Sequence, residues 1–177
     1  MPRIKIPVAR AAIPLAILLT AAIAIAVVVA GYAPFGGPRA SGEVMLILRG
    51  IANSEHPRGQ LDDQSALEYA RRLGYRGEVL DVAGGSSAQV TMALDRIRGD
   101  EKVTALYGFS GGGYNAKRIW SELDADEQAR IGKVVVIGSP GVDKADFHGS
   151  TDVIIKQDPP AGHLAGPKAL LESLGRS

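Results

Sequence analysis

Apolar residues along this chain fall into two rhythms. Val44-Met-Leu-Ile-Leu48 is a short run with no polar interruption, the pattern of a strand covered on both faces of a parallel sheet. Residues 78–82, 103–107, 133–137 and 152–156 form further short runs rich in valine, leucine and isoleucine. Between these runs the apolar residues take helical spacing. A helix is predicted over about 62–73, with Asp62 or Asp63 as N-cap, Leu67, Ala70 and Leu73 on one face, and Gly74 as its stop. Val90, Leu94 and Ile97 mark a second helix after Gly84-Gly85-Ser86-Ser87, and a third begins just after Ser110. Asp124-x-x-Glu127 is a capping box that opens a short helix ending at Gly132, and residues 167–174 form a closing helix.

Strands separated by helical segments indicate βαβ units, hence an α/β three-layer sandwich built on a minimal parallel sheet of about five strands. With right-handed crossovers and the order 2-1-3-4-5, the direction of winding reverses between strands one and three. A crevice then opens at the carboxyl ends of those strands, beside Ser110.

One stretch obeys neither rhythm. Residues 11–33 are an uncharged, largely apolar run of about 23 residues preceded by Arg3, Lys5 and Arg10, long enough to cross a bilayer as a helix. The basic flank places the N-terminus in the cytoplasm and the rest outside. A secretory signal core is shorter, roughly 7–15 residues, and Pro34 follows Ala33, the most obvious cleavage position. An uncleaved signal anchor over 1–33 is therefore expected, with cleavage after Val28-Val29-Ala30 and secretion as the alternative. A bacterial inner membrane with the domain in the periplasm suits export without disulfides. Residues 34–43 have the Pro/Gly/Ser composition of a linker, and 44–177 make the folded domain.

Removing Arg3, Lys5 and Arg10 from the 20 basic residues leaves 17 against 19 acidic ones, a net charge of −2, which is no footprint for nucleic acid. The chain has no cysteine, which excludes thiol nucleophiles and Cys-based metal sites. No cofactor or metal is expected.

The spacing Gly108-x-Ser110-x-Gly112 between an apolar strand and a helix is that of a nucleophile elbow. A serine is a weak nucleophile until a base takes its proton, and that base needs a third group to fix its tautomer. The chain has three histidines. His56 precedes the serine, whereas this architecture has the order serine, acid, histidine. His148 lies before the fifth strand. His163, beyond that strand, is on the same sheet edge as Ser110 and is the preferred base. For the acid, Asp158 follows the fifth strand directly, and Asp146 and Asp143 after the fourth strand are alternatives. Ester or thioester cleavage also needs preorganised N–H donors. Gly111 supplies one, and the loop after the first strand offers the other at Ile51 or Ala52.

The elbow, its strand, Gly138-Ser-Pro-Gly after the next strand and Gly162-His163-Leu together resemble the α/β-hydrolase superfamily, in particular its small, lidless members of the cutinase and esterase kind. The likeness covers about 130 residues, from Val44 to Leu174. It implies a serine hydrolase with Ser110 as nucleophile, His163 as base, an acid after one of the last two strands, and Gly111 in the oxyanion hole. The substrate would be a small-molecule or lipid-like acyl ester. Arg49-Gly50 replaces the usual His-Gly, and the segment between strands four and five is too short for a substantial lid, so an open site is expected.

Two other readings compete. Gly111-x-Gly113-x-x-Ala116 satisfies a dinucleotide fingerprint, but it follows the third strand, and the next strand ends without an acidic residue to hold a ribose. A non-catalytic binding or cell-envelope protein could also keep the same fold.

Overall fold

The computed structural model describes residues 42–51, 57–150 and 152–175. The expected anchor, most of the linker, Ala52 and His56 lie outside those residues. Among the described residues no helix is long and apolar enough to cross a membrane.

The elements are β1 (Val44–Leu48), α1 (Pro57–Arg72), β2 (Arg76–Leu80), α2 (Ser87–Gly99), β3 (Val103–Phe109), α3 (Gly111–Glu122), α4 (Ala125–Arg130), β4 (Lys133–Ile137), β5 (Asp152–Lys156) and α5 (Gly166–Ser173). Short 3-10 turns cover Lys144–Phe147 and His163–Ala165. All strand pairs are parallel, in the order β2-β1-β3-β4-β5. That is the predicted α/β sheet with its predicted order.

Strand alternation divides the core into two layers. Val44, Leu46 and Leu48 point with Leu106, Val134 and Val136 toward α2 and α3, where Ile97, Ile119 and the fully buried Trp120 meet them. Met45 and Ile47 point the other way, with Ala105, Tyr107, Phe109, Val135 and Ile137, under α1 and α5. Each large side chain sealed in this way contributes about 1.5–3 kcal/mol.

Three expectations need correction. Helix α1 starts at Pro57 rather than near 62. Proline is well suited to the first helical position because its missing N–H has no partner there. Asp62 and Asp63 therefore lie inside the helix and are not its N-cap. The buried face of α1 is Ala66, Tyr69 and Ala70, whereas Leu67 is 37% exposed. Leu67 leans instead over Gly77 of the edge strand, where a Cβ would come within 2.8 Å of its Cδ2. Strand β2 begins two residues earlier than predicted, because its ladder runs from Val44↔Arg76 to Leu48↔Leu80 and ends where β1 ends.

The result is one sheet edge on which the ends of β1, β3, β4 and β5 bring together Arg49–Ile51, Ser110, Gly138–Ser139 and Asp158–His163.

Candidate active site

At the end of β3 the backbone of Ser110 takes φ 53° and ψ −118°, the one positive φ at a non-glycine position among the described residues. Such a conformation costs about 1–3 kcal/mol and persists only where its surroundings over-determine it. They do so here. The Ser110 amide donates to the Ile137 carbonyl at 2.9 Å, and the Ser110 carbonyl accepts from the Gly113 amide at 3.0 Å and from Ser139 Oγ at 2.7 Å. The flanking glycines are dictated by contact. A Cβ at Gly108 would lie 2.7 Å from the Gly112 carbonyl oxygen, and one at Gly112 would lie 2.1 Å from the Leu48 carbonyl oxygen. Gly111 opens α3, so its N–H belongs to the turn whose amides lack intrahelical acceptors and carry the positive end of the helix dipole.

His163 begins the 3-10 turn beyond β5. Its Nδ1 lies 2.7 Å from Asp158 Oδ1, and its ring stacks on Phe109 with centroids 5.0 Å apart and planes at 25°. Asp158 is exposed and His163 is partly buried. Nδ1 is thereby engaged by the carboxylate, leaving Nε2 as the nitrogen available for proton transfer. Ser110 and His163 line the same cavity. The hydrogen bonds among the described residues include Asp158–His163 but none between Ser110 and His163, and such bonds are often long without substrate and tighten when it binds.

The other two candidate acids sit elsewhere. Asp143 accepts from the Ala145 amide at 2.8 Å and caps the Lys144–Phe147 turn. Asp146 pairs with Lys117 at 2.7 Å and accepts from the Asp143 amide at 3.0 Å, and these bonds hold its carboxyl below the usual range. His148 follows that turn in an exposed position. Asp152, at the start of β5, pairs with Lys133.

The loop after β1 reaches Ser110 from the other side. A Cβ at Gly50 would stand 3.2 Å from Ser110 Cβ, and Ile51 lines the cavity with its side chain largely exposed. This loop is anchored through contacts that the sequence pattern does not reveal. Arg49 Nε donates to both carboxylate oxygens of the buried Asp63 at 2.9 Å, and its guanidinium also meets Asp81. The hydrogen bonds to Asp63, outweighing the cost of burial, raise the Arg49 pKa above its ordinary value. Gln89 Nε2 donates to the Val82 carbonyl at 3.0 Å and to the Arg49 carbonyl at 3.4 Å, while Gln89 Oε1 accepts from Asn115 Nδ2 at 2.8 Å. Buried Gln89, Asn115 and Ser139 thus fix the two loops that meet at Ser110. Only Ser139 left a sequence signal, as part of the Gly-Ser-Pro-Gly segment after β4.

A cavity lies beside the candidate nucleophile. Behind Ser110 and His163 a cavity of about 250 Å³ extends between the sheet and helices α1 and α5, with Ile47, Ala66, Tyr107, Phe109, Leu164 and Pro167 among its walls. Among the described residues no group of three or more His, Asp or Glu side chains is arranged to hold a metal ion.

The chain matches no protein-family model and no curated protein sequence. Solved structures do match it. A cutinase-like protein from Cryptococcus sp. is similar with a TM-score of 0.51 at 15% identity, over 77% of this chain and 94% of that one. Trichoderma reesei cutinase, in complex with a C11Y4 phosphonate inhibitor, is similar at 21% identity over 85% of this chain and 80% of that one, with a TM-score of 0.48. At such identities the first of these likenesses shows a shared α/β fold.

Proposed function

We propose that the chain is a serine hydrolase that cleaves a carboxylic ester or thioester through an acyl-Ser110 intermediate. The observation that carries this reading is the Asp158–His163 hydrogen bond, made on the sheet edge that also holds Ser110 in its strained turn, with Ser110 and His163 opening on one cavity. Ser110 Oγ attacks the substrate carbonyl while His163 Nε2 takes its proton, and Asp158 steadies the imidazolium from the Nδ1 side. Charge that develops on the carbonyl oxygen is met by the N–H groups of Gly111 and Ile51. The tetrahedral adduct collapses, the C–O or C–S bond breaks, and His163 returns the proton to the departing alcohol or thiol. Water, deprotonated by His163, then attacks the acyl-enzyme, and the acid leaves with Ser110 regenerated.

The apolar run at 11–33 behind Arg3, Lys5 and Arg10 supports a membrane-tethered form with the catalytic domain outside the cytoplasm. Protease digestion of spheroplasts, with the outer membrane removed, and of lysed cells would check that placement, the domain being cleaved in both; protection in spheroplasts would put it in the cytoplasm.

A fluorophosphonate probe tests the chemistry. Wild-type protein should be labelled, whereas Ser110→Ala should not be and His163→Ala should label at least a hundredfold more slowly. Absence of both labelling and esterase activity in the wild type would leave a non-catalytic binding protein on the same fold.

A further inference from the structure

An open sheet ends in two strands that each have one unpaired side, and such an edge is a template for a further strand. Among the described residues β2 and β5 hold these places. The two are built differently. β2 carries Glu78 at its centre, held by Arg76 and Arg96, next to Gly77. Pairing β2 with itself over its full length would set Glu78 against a second Glu78, so like charge guards this edge. β5 reads Asp152-Val-Ile-Ile-Lys156, with its charges at the ends and half-buried apolar residues between them. It has no proline, and its ladder with β4 runs in one register from Lys133↔Asp152 to Ile137↔Lys156.

That ladder fixes which backbone groups of β5 face outward. The Asp152 amide donates to the Gly132 carbonyl at 3.1 Å, and the Lys156 carbonyl accepts from the Gly138 amide at 2.9 Å. In a parallel pair, alternate residues turn both backbone groups to the neighbouring strand. Asp152, Ile154 and Lys156 therefore bond to β4, and Val153 and Ile155 present N–H and C=O to the open side. Side chains alternate as well. Ile154 joins the layer under α1 and α5, whereas Val153 and Ile155 join the layer of α2 and α3.

We infer that β5 pairs antiparallel with the β5 of a second copy of this chain, about a two-fold axis at Ile154, so that two five-stranded sheets become one. Charge and hydrogen-bond parity select the same register. In the full-length antiparallel match Val153 lies opposite the partner's Ile155, and Ile155 opposite the partner's Val153. Each of these pairs exchanges both backbone hydrogen bonds. The same match sets Asp152 beside the partner's Lys156, and Lys156 beside the partner's Asp152, at the closely spaced non-hydrogen-bonded positions. A slip of one residue opposes outward-facing groups to inward-facing ones and separates the charges. Asp152 meets Lys133 in its own chain, and its side chain is still half-exposed, so a second cation can approach it. None of these residues takes part in the chemistry proposed for Ser110.

The chain has no cysteine, so an introduced one reports a single contact. In the full chain in detergent, Ile154→Cys should oxidise to a disulfide-linked dimer, since a non-hydrogen-bonded pair on the axis brings the two Cβ atoms within about 4.5–5.5 Å. Val153→Cys should crosslink roughly tenfold more slowly or worse, because the two copies of that residue stand diagonally, about 7–8 Å apart. Val79→Cys, on β2, should be as slow. Adding Lys156→Glu to Ile154→Cys should slow crosslinking about tenfold by setting like charges opposite each other. Adding Val153→Pro should abolish it. That proline removes an N–H facing away from β4, so the monomer should keep its wild-type urea midpoint. Independently, sedimentation in density-matched detergent should give the cysteine-free wild type twice the protein mass of Val153→Pro. Equal crosslinking at all three positions, none at Ile154→Cys, or equal masses in sedimentation would overturn the pairing. So would a disulfide dimer that survives Val153→Pro, and a rate indifferent to Lys156→Glu would overturn the register.

Discussion

Asp158 and His163 are joined at 2.7 Å directly above Gly138, a residue with φ +60° whose missing Cβ would fall 2.6 Å from Asp158 Oδ1 and 2.9 Å from His163 Nδ1. The end of β4 therefore forms the seat on which the end of β5 places its two polar side chains.

Gly138→Ala should keep the fold, at a cost of about 1–2 kcal/mol for a side chain in the left-handed region. It should also displace the Asp158–His163 pair and lower kcat by tenfold or more. Circular dichroism with chemical denaturation checks the first statement, and steady-state kinetics on a p-nitrophenyl ester checks the second. Wild-type kcat in this variant would show that the pair can be moved without effect.

Asp158→Asn should reduce kcat by about a hundredfold or more, because the imidazole would lose the carboxylate that orients it and stabilises its charged form. Asp146→Asn should leave kcat unchanged, since that side chain serves Lys117 and the Asp143 amide. Loss of activity in Asp146→Asn with retention in Asp158→Asn would reassign the acid.

Gln89→Leu removes the donor to the Arg49 and Val82 carbonyls and the acceptor for Asn115, leaving buried polar groups unpaired. Stability should drop by about 1–3 kcal/mol. The N–H donors after Arg49 should also be less well fixed, so kcat should fall more than KM changes. A variant destabilised in urea but with unaltered kcat would confine Gln89 to a structural role.

Acid should weaken the fold through carboxylates whose pKa values are depressed in the native state. Hydrogen bonds from Arg71 and Arg72 lower Glu68 to about 2, Arg96 lowers Glu78, and Lys117 lowers Asp146. Each contributes stability that is present above its ordinary pKa and is lost as pH falls toward the folded value. Urea midpoints should be level from about pH 7 to 5 and decline below about 4.5. Because these pairs are partly solvated, each should supply less than about 1 kcal/mol. The Glu68→Gln/Asp146→Asn double variant should show a shallower decline, and an identical slope would exclude these pairs as its source.

The sheet was legible in the sequence because its strands are unbroken apolar runs with turn residues on either side, and alternation with helices leaves few topologies open. The elbow was legible for a related reason: the contacts at Gly108 and Gly112 admit no side chain, so the local geometry is written in the residue types. Helix α1 was harder. Gly59 and Pro57 read as loop residues, and the helical face that carries Gly59, Asp62, Asp63 and Ala66 is poor in apolar side chains because it borders a cavity instead of a filled core. The partner of His163 stood among three carboxylates because spacing cannot say which loop turns inward; of the three, Asp158 is the one the structure sets against the imidazole. Gln89 and Asn115 left no signal, since a polar residue inside a helix looks like a surface position until its buried partners are known. The role of the N-terminal run and of Ala52 rests on residues outside the described structure.

The strained backbone at Ser110 also bears on how this position can change over generations. Glycine would occupy that conformation without penalty, and a serine codon of the AGC kind lies one base away from a glycine codon. A lineage that had no use for the hydroxyl would find the relaxed variant at once and gain stability by keeping it. A serine at the one positive-φ non-glycine position among the described residues is thus a standing cost to the fold, which the proposed reacting hydroxyl would give reason to bear.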